Sequence, residues 1–375
     1  MKSKKSNSKR LELSKYNIKI VSSRELNKLL IVWNPDNHPE IKNEDIRKFS
    51  KIHALKTSEI KVDNVFKANR RIEKEADNQN TDNILIIGDI LQFPSLEFNH
   101  KKSLAYTDLI FEQIGDFNLK IGRIYGGEKT LHNHIRFSYG DSNLAVVVDT
   151  TPKKSELPVK ALEALDFKVF MWGGINGQSL KIMEPLLEQA EMILQYSDGT
   201  FFDRVHGNIK EWYGGSPPKA FFTYKDFRKI QFQCYPFIFS EACHTANFGP
   251  FVREAIRALS IYIGATSLTY NNKIEYKSWR DCHYCDGVKY GILDLLESKK
   301  TLGDVKLEVD KTLFETLPAS KQKKILELNK RSGISIRDAE IISTIQWIYF
   351  GNPLRPVTVG VKPSFKVSII PVYPD

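Results

Sequence analysis

The chain has 375 residues, of which 41% are hydrophobic and 27% are charged, and its formal net charge is +10. This composition is typical of a globular protein, and the length suffices for one large domain or two smaller ones. No apolar run approaches the ~20 residues that span a bilayer, so no membrane segment is predicted. The positive net charge is not accompanied by a motif that recognises nucleic-acid bases, so nucleic-acid binding is not expected.

The amino terminus is basic, and no apolar segment of a secretory signal follows it. We therefore expect residues 1–15 to form a disordered basic tail and the protein to be cytoplasmic. The four cysteines are too few for a disulfide framework in a chain of this length, and they fit a reducing compartment.

In the first part of the chain, short apolar runs alternate with stretches of helical composition. Strands are predicted at 29–33, 83–89 and 119–124, and a helix within 43–77. Residues 126–143 are polar and contain glycine, and they are interpreted as a link between two halves. Alternating strands and helices predict a parallel sheet with helices on both faces.

The second part repeats this alternation. Strands are predicted at 144–149, 167–172, 201–206, 235–240 and 261–264, with edge strands at 357–359 and 367–370. Helices are predicted at 156–165, 178–194, 250–260, 287–299 and 318–345. The expected organisation is an N-terminal α/β subdomain over 16–140 and a catalytic subdomain over 141–375.

The residues that suggest chemistry follow two of these predicted strands. Cys243 follows the strand that closes at Ser240, and a helix is expected to begin directly after it. The thiol would then lie at the carboxyl end of a strand, where α/β sheets tend to build their sites. His206 closes another strand and supplies the base that a thiol nucleophile needs. The backbone N–H groups of Gly207 and Cys243 are the predicted donors to an oxyanion.

Together these residues predict a cysteine peptidase. Asp198 and Glu211 flank His206 in the sequence, and either is a candidate for the group that orients its imidazole. Taken alone, a free cysteine is usually a small buried hydrophobe, and a lone histidine is usually structural. The prediction therefore depends on the two residues occurring together.

Several stretches of the chain resemble the gingipain-type cysteine peptidases of the caspase-like superfamily. In the second part these are His206-Gly207-Asn208…Trp212, Glu241-Ala242-Cys243-His244-Thr245-Ala246-Asn247-Phe248, and Tyr262-Ile263-Gly264-Ala265-Thr266…Tyr270. Earlier ones are Leu85-Ile86-Ile87-Gly88-Asp89…Pro94, Tyr106-Thr107-Asp108, Gly115-Asp116 and Gly122-Arg123-Ile124. Gly351-Asn352-Pro353-Leu354 resembles a closing Gly-Asp-Pro-x-Leu, with Asn for Asp, and the match runs in order from about 84 to 354.

The resemblance implies a caspase-like α/β/α sandwich with mostly parallel sheets and two side-by-side subdomains. It also implies that Cys243 is the nucleophile, that His206 is the base, and that cleavage follows one chosen P1 residue of a protein or peptide substrate.

The same resemblance gives the predicted substrate-binding residues. Asp149 is the acid closest to the position that gives gingipains their basic P1 preference, so Lys or Arg is the candidate P1 residue. Asn271 falls near the aromatic that lines that pocket in gingipains. Glu241 and Thr266 complete the predicted set.

No cofactor is expected. Calcium binding is kept as an alternative because several relatives use calcium, although no dedicated calcium loop is visible in the sequence. The alternative function is a latent caspase-like regulatory or effector protein that acts by binding a partner or waits for an activating ligand. The basic tail and the missing signal segment motivate this alternative.

Two other groups of residues were weighed as metal sites. Cys282 and Cys285 form a CxxC that a zinc or a redox role would suit, but a structural zinc site needs four ligands. His132 and His134 would share one face of a strand. An inert loop is the favoured interpretation in both cases, and no metal is predicted.

Overall fold

The computed structural model describes residues 19–20, 28–34, 54–56, 65–101, 103–139, 142–149, 156–173, 180–195, 206–214, 219–233, 235–270 and 278–357. The strands up to residue 139 are β1 (Lys19–Ile20), β2 (Leu29–Trp33), β3 (Ala54–Lys56), β4 (Asn83–Ile87), β5 (Leu96–His100), β6 (Ser103–Thr107), β7 (Lys120–Ile124) and β8 (Ser138–Tyr139). The helices of this part are α1 (Val65–Gln79) and α2 (Glu128–Ile135), with a 3-10 helix at Leu109–Glu112.

The strands after residue 139 are β9 (Leu144–Val148), β10 (Lys168–Trp172), β11 (Met192–Gln195), β12 (His206–Gly207), β13 (Glu211–Gly214), β14 (Lys219–Thr223), β15 (Phe237–Ser240), β16 (Ile261–Ala265), β17 (Ile334–Ser335) and β18 (Trp347–Phe350). The helices are α3 (Glu156–Ala164), α4 (Leu180–Gln189), α5 (Tyr224–Phe227), α6 (Pro250–Arg257), α7 (Cys285–Leu295), α8 (Leu302–Thr316), α9 (Ala319–Leu326) and α10 (Ala339–Ile345). Further 3-10 helices cover Trp279–Asp281 and Glu327–Asn329.

Ten of the described strands form one central sheet in the order β10-β9-β11-β15-β16-β18-β7-β4-β2-β3. Every neighbouring pair is parallel except β16 and β18. The sheet therefore consists of two parallel sets of five strands that run in opposite directions and lie side by side. The carboxyl ends of β9, β10, β11, β15 and β16 meet at one edge, which we call the Cys243 edge.

Both faces of this sheet are covered, which explains why its strands are continuous apolar runs. All five residues of β2, β4, β9 and β16 are buried. Alternate side chains enter different cores, as Ile261 and Ile263 pack with α7 and α8 while Tyr262 packs with α6. The predicted α/β/α sandwich of mostly parallel strands is confirmed.

Several predicted elements were wrong in type or extent. The predicted helix 178–194 ends at Gln189, and its last residues form the buried strand β11. The predicted link 126–143 contains α2, which buries Leu131 and Ile135. The predicted helix 318–345 divides into α9, a 3-10 turn, β17 and α10. The strand predicted at 201–206 lies outside the described residues apart from His206, and the predicted edge strands 357–359 and 367–370 lie outside them apart from Val357.

Gly88, Asp108 and Arg123, which belong to motifs that support the resemblance, form a buried scaffold at the carboxyl ends of β4 and β7. The guanidinium of Arg123 contacts both carboxylate oxygens of Asp108 at 2.7 Å and donates to the carbonyl of Gly88 at 2.8 Å. A Cβ on Gly122 would lie 2.2 Å from the carbonyl oxygen of Gly351, so the two glycine-containing motifs touch. These motifs therefore stabilise the junction of β4, β7 and β18.

Among the described residues, no helix is both long and apolar enough to cross a membrane.

Candidate active site

The turn that carries Cys243 is held by the neighbouring strand. Gln195, the last residue of β11, accepts hydrogen bonds through Oε1 from the Ser240 hydroxyl at 2.9 Å and from the Ala242 N–H at 2.6 Å. The indole N–H of Trp212 donates to the same Ser240 hydroxyl at 3.1 Å. The turn is therefore fixed by a buried polar network that joins β11, β13 and β15.

The turn is tightened by an unusual backbone conformation directly after Cys243. His244 has φ of 59°, in the left-handed region. Its N–H donates to the carbonyl of Ser267 at 3.0 Å, and the Ala246 N–H donates to the carbonyl of Ala265 at 3.1 Å. A non-glycine residue in this region costs about 1 kcal/mol or more and persists only where the surroundings fix it. The prediction that a helix begins directly after Cys243 was wrong, because α6 begins at Pro250.

The thiol of Cys243 is partly exposed and lies beside the segment that follows β16. Its Sγ is 3.3 Å from the Thr269 hydroxyl oxygen, and it accepts a hydrogen bond from the Thr269 N–H at 3.3 Å. The sulfur is thus oriented by a backbone donor while it remains reachable from solvent. A reactive cysteine requires this combination of orientation and access.

The hairpin of β12 and β13 packs directly against the turn. His206 pairs with Tyr213 and Gly207 with Trp212. A Cβ on Gly207 would lie 2.6 Å from the Cβ of Ala242 and 2.5 Å from Cγ2 of Thr245, so only glycine permits this approach. The structure therefore brings Gly207 to the Cys243 turn, and the backbone of His206 comes with it.

Tyr213 lies opposite His206 in the hairpin. Burial raises the pKa of the Tyr213 phenol, and the charge of Cys243 raises it further. The residue opposite His206 in the hairpin therefore lies within electrostatic reach of the thiol.

The backbone N–H groups of the turn differ in their partners. Those of Glu241, Ala242 and His244 donate to acceptors on β11 or on Ser267. Within the described part of the chain, no acceptor takes the N–H of Cys243. The Cys243 N–H is thus the donor of this turn that the sequence predicts for an oxyanion on an attacked carbonyl, and that role stays a prediction.

The structure places three of the predicted substrate-binding residues at the Cys243 edge, and all three are buried. The carboxylate of Glu241 is paired with the ammonium of Lys289 at 3.0 Å. The Thr266 hydroxyl donates to the carbonyl of Tyr106 at 2.7 Å. Asp149 follows β9, two strands from β15. Asn271 lies outside the described residues, and the substrate contacts of all four stay predictions.

A buried histidine that the sequence did not suggest anchors the segment beside the thiol. The ring of His100 on β5 lies 2.8 Å from the Ser267 hydroxyl and 2.7 Å from the Tyr270 hydroxyl. Burial lowers the pKa of His100, and the charges of Lys101 and His244 lower it further. Alternation of apolar and polar residues over Leu96-Glu97-Phe98-Asn99 is the sequence signal that could have identified β5, and the structure buries the alternate residues, including His100.

The histidines considered as metal ligands are placed differently from the prediction. His132 and His134 lie on α2 rather than on a strand. Both ring nitrogens of His134 are used, with the Tyr235 hydroxyl and the Ile256 carbonyl each at 2.6 Å. His134 is therefore a structural residue of the core.

The CxxC residues are buried free thiols. Burial raises the pKa of Cys282 to about 11. Cys285 begins α7, and its thiol donates to the carbonyl of Tyr270 at 2.8 Å. Within the described residues, no group of three or more His, Cys, Asp or Glu side chains could hold a metal ion.

The fold and the turn define a gingipain-type, caspase-like α/β architecture. One similar solved structure is the Arg-specific cysteine proteinase gingipain R, with 14% sequence identity, a TM-score of 0.62, and coverage of 90% of this chain and 79% of that chain. A second is the complex of Porphyromonas gingivalis RgpB pro- and mature domains, with 13% identity, a TM-score of 0.61, and coverage of 88% and 79%. The chain matches no protein-family model and no curated protein sequence. The predicted resemblance is thus confirmed at the level of the fold.

Proposed function

We propose that the chain is a cysteine endopeptidase in which Cys243 is the nucleophile and His206 is the general base and acid. The substrate is a protein or peptide. The packing of Gly207 against the Cys243 turn carries this proposal, because it joins two sequence-distant elements that each bear one of the required groups. The gingipain fold agrees with it.

The proposed reaction proceeds in two stages. His206 takes the thiol proton, and Cys243 Sγ attacks the scissile carbonyl carbon to form a C–S bond and an oxyanion. The N–H groups of Gly207 and Cys243 donate to that oxyanion. The C–N bond then breaks, and His206 gives its proton to the leaving amine.

In the second stage, water replaces the amine. His206 takes a proton from the water, whose oxygen attacks the thioester carbonyl. The C–S bond then breaks, the acid product leaves, and His206 returns its proton to the Cys243 sulfur, which restores the thiol. The turn is suited to both stages because its network with Gln195 and Trp212 fixes the sulfur without contacting it.

For specificity, we infer that Lys or Arg is the preferred P1 residue and that Asp149 contributes to this preference. Asp149 lies at the Cys243 edge on the same parallel set of strands as Cys243. A buried carboxylate at that edge would favour a cationic side chain over a neutral or acidic one.

Hydrolysis of fluorogenic peptides that differ only at P1 tests the proposal. We expect the intact protein to hydrolyse peptides with Arg or Lys at P1. Cys243→Ala and His206→Ala should each lower kcat/KM by at least about 1,000-fold. Asp149→Asn should reduce cleavage after Arg and Lys more than cleavage after neutral residues.

The matched control is Cys282→Ala, which removes a buried thiol away from the turn and should leave hydrolysis unchanged. Equal hydrolysis by the intact protein and the Cys243→Ala variant would refute the assignment of the nucleophile. Inactivity of the intact protein toward the whole panel would favour the alternative of a caspase-like protein that acts by binding.

A further inference from the structure

Helix α7 lies behind the Cys243 turn and holds the segment beside the thiol. Its first residue, Cys285, donates its N–H to the Tyr270 carbonyl at 3.1 Å and its thiol to the same oxygen at 2.8 Å. The residue before Tyr270 is Thr269, whose N–H donates to Cys243 Sγ. The first turn of α7 therefore fixes one wall of the site.

The same helix also holds the chain just before the nucleophile. Lys289, one turn into α7, has its ammonium 3.0 Å from Glu241 Oε1 and 2.6 Å from Asp286 Oδ1. Lys289 and Glu241 are both fully buried, and Glu241 precedes Cys243 by two residues. Burial lowers the pKa of Lys289, but the carboxylates of Glu241 and Asp286 outweigh it, so the net shift is upward and the amine stays charged.

This ion pair resists relative movement of the turn and the helix. Separating this pair moves the buried Glu241 carboxylate away from the Lys289 ammonium in an interior of low polarity, which is costly. The Glu241-Ala242-Cys243 segment therefore cannot shift against α7 without separating the pair. Because α7 also holds Tyr270, the pair and the Cys285 contacts together fix the distance between the thiol and Thr269.

We propose that Lys289 is a positioning residue for the Cys243 thiol, acting through its ion pair with Glu241. It touches neither the sulfur nor the peptide in this role. The inference rests on the proposed function, since a positioned thiol matters only where the thiol reacts, but its test does not require peptide hydrolysis.

The molecule offers a matched buried lysine elsewhere. The Lys306 ammonium contacts Asp310, four residues on in α8, and lies 3.4 Å from Glu112 Oε1 in the 3-10 helix Leu109–Glu112. Like Lys289, it is a buried lysine with two carboxylate partners, but neither partner belongs to the Cys243 turn. Its replacement reproduces the loss of a buried ion pair without altering the site.

The experiment measures the rate at which iodoacetamide alkylates Cys243, read by mass spectrometry at a temperature where each variant is folded. Lys289→Met and Glu241→Gln should each slow alkylation several-fold, because a turn released from α7 no longer holds the sulfur at the Thr269 N–H, whose hydrogen bond favours the reactive thiolate. Glu241→Gln leaves Lys289 paired with Asp286, so it tests the proposal even where Lys289→Met fails to fold. Lys306→Met should lower thermal stability but leave the alkylation rate unchanged.

The double variant Lys289→Met, Glu241→Gln distinguishes the loss of one shared ion pair from a general loss of structure. Since both residues act through one contact, the double variant should be slowed less than the product of the two single effects. Lys289→Arg, which keeps the charge, should recover most of the rate. A wild-type alkylation rate in folded Glu241→Gln, or equal slowing in Lys306→Met, would overturn the proposal. Failure of the peptidase assay with slowed alkylation would refute the proposed function alone.

Discussion

His134 illustrates how the interior of this molecule constrains single residues. Its ring is buried between the Tyr235 hydroxyl and the Ile256 carbonyl, so one nitrogen donates and the other accepts. Burial lowers the pKa of His134 to about 4, although the hydrogen bond to Ile256 acts in the opposite direction. The folded protein therefore holds this histidine neutral.

We predict that His134 makes the folded state less stable in acid. Its folded pKa of about 4 lies below the ordinary value of 6.5, so the unfolded chain binds more protons between these values. Above about pH 6.5, His134 contributes about 3 kcal/mol to the free energy of unfolding. This contribution is lost as the pH falls toward about 4. Denaturant unfolding of His134→Gln between pH 7 and 4 should show a shallower loss of stability than the intact protein.

His132→Gln is the control on the same helix, because that ring is only partly buried. Parallel pH curves for His134→Gln and the intact protein would show that the buried ring carries no such linkage.

At the scale of single residues, the sequence predicts site residues that lie close together in the chain or within one motif. The sequence predicted Cys243 and Gly207 as site residues, and the structure packs Gly207 against the turn that carries Cys243. Gln195, His100 and Lys289 were missed, because each reaches the site from a different strand or helix. Nothing in the local sequence of a buried lysine or glutamine tells which distant segment it will contact.

Among the elements, the hairpin of β12 and β13 depends on one glycine. Gly207→Ala would place a Cβ 2.5 Å from Thr245 Cγ2 and 2.6 Å from Ala242 Cβ. We expect the hairpin to move away from the turn, with a loss of about 1 to 3 kcal/mol of stability typical of overpacking. Hydrolysis should fall by about 100-fold, because His206 moves with the hairpin.

Gly127→Ala is the comparison, because a Cβ there would meet nothing within 4 Å. Chemical denaturation and peptide hydrolysis should be measured on both variants. Full activity in Gly207→Ala would mean that the hairpin does not need this close approach.

Element types were predictable where the apolar runs were long and failed where they were short. The residues of β11 are only four and follow α4 closely, so their pattern reads as the end of a helix. Helix α8 was missed, although Thr301 and Asp304 form a capping box that signals its start. Buried parallel strands such as β4 and β9 were predicted with nearly correct bounds because they are continuous apolar runs, whereas β5, β6 and β14 have the same length but mixed residues and were missed.

At the scale of the whole molecule, β18 joins the two parallel sets. It pairs with β16 on one side in antiparallel register and meets β7 in parallel on the other. The β10 strand, in contrast, forms one margin of the sheet among the described strands. Backbone amides at the centre of a sheet exchange with solvent only when the molecule unfolds widely, whereas margins open locally.

We therefore predict that the amides of Trp347–Phe350 exchange among the slowest in the protein and more slowly than those of Lys168–Trp172. Hydrogen–deuterium exchange with peptide-level mass spectrometry measures both. Peptides from β15 and β16 serve as internal references for slow exchange. Faster exchange in β18 than in β10 would mean that the two parallel sets separate before either one unfolds.

The fold class was predictable from the sequence, but the strand order was not. Alternation of strands and helices indicates a parallel sheet, and the motifs added the caspase-like resemblance. No local pattern reveals that β18 enters the middle of the sheet and runs against β16. That order depends on which surfaces the earlier strands leave uncovered.

The position of β18 also has a consequence for the chain during its synthesis. The 81 residues from Thr266 to Gln346 separate β16 from β18, and a ribosome needs about 4 to 16 seconds to add them at about 5 to 20 residues per second. During that interval the inner margins of β16 and β7 are both without their partner strand, and open margins invite pairing with other chains. The Thr266 N–H also lacks its acceptor, the Gln346 carbonyl, until then. The wall beside Cys243 is therefore completed only once Gln346 has been made, well after Cys243 itself.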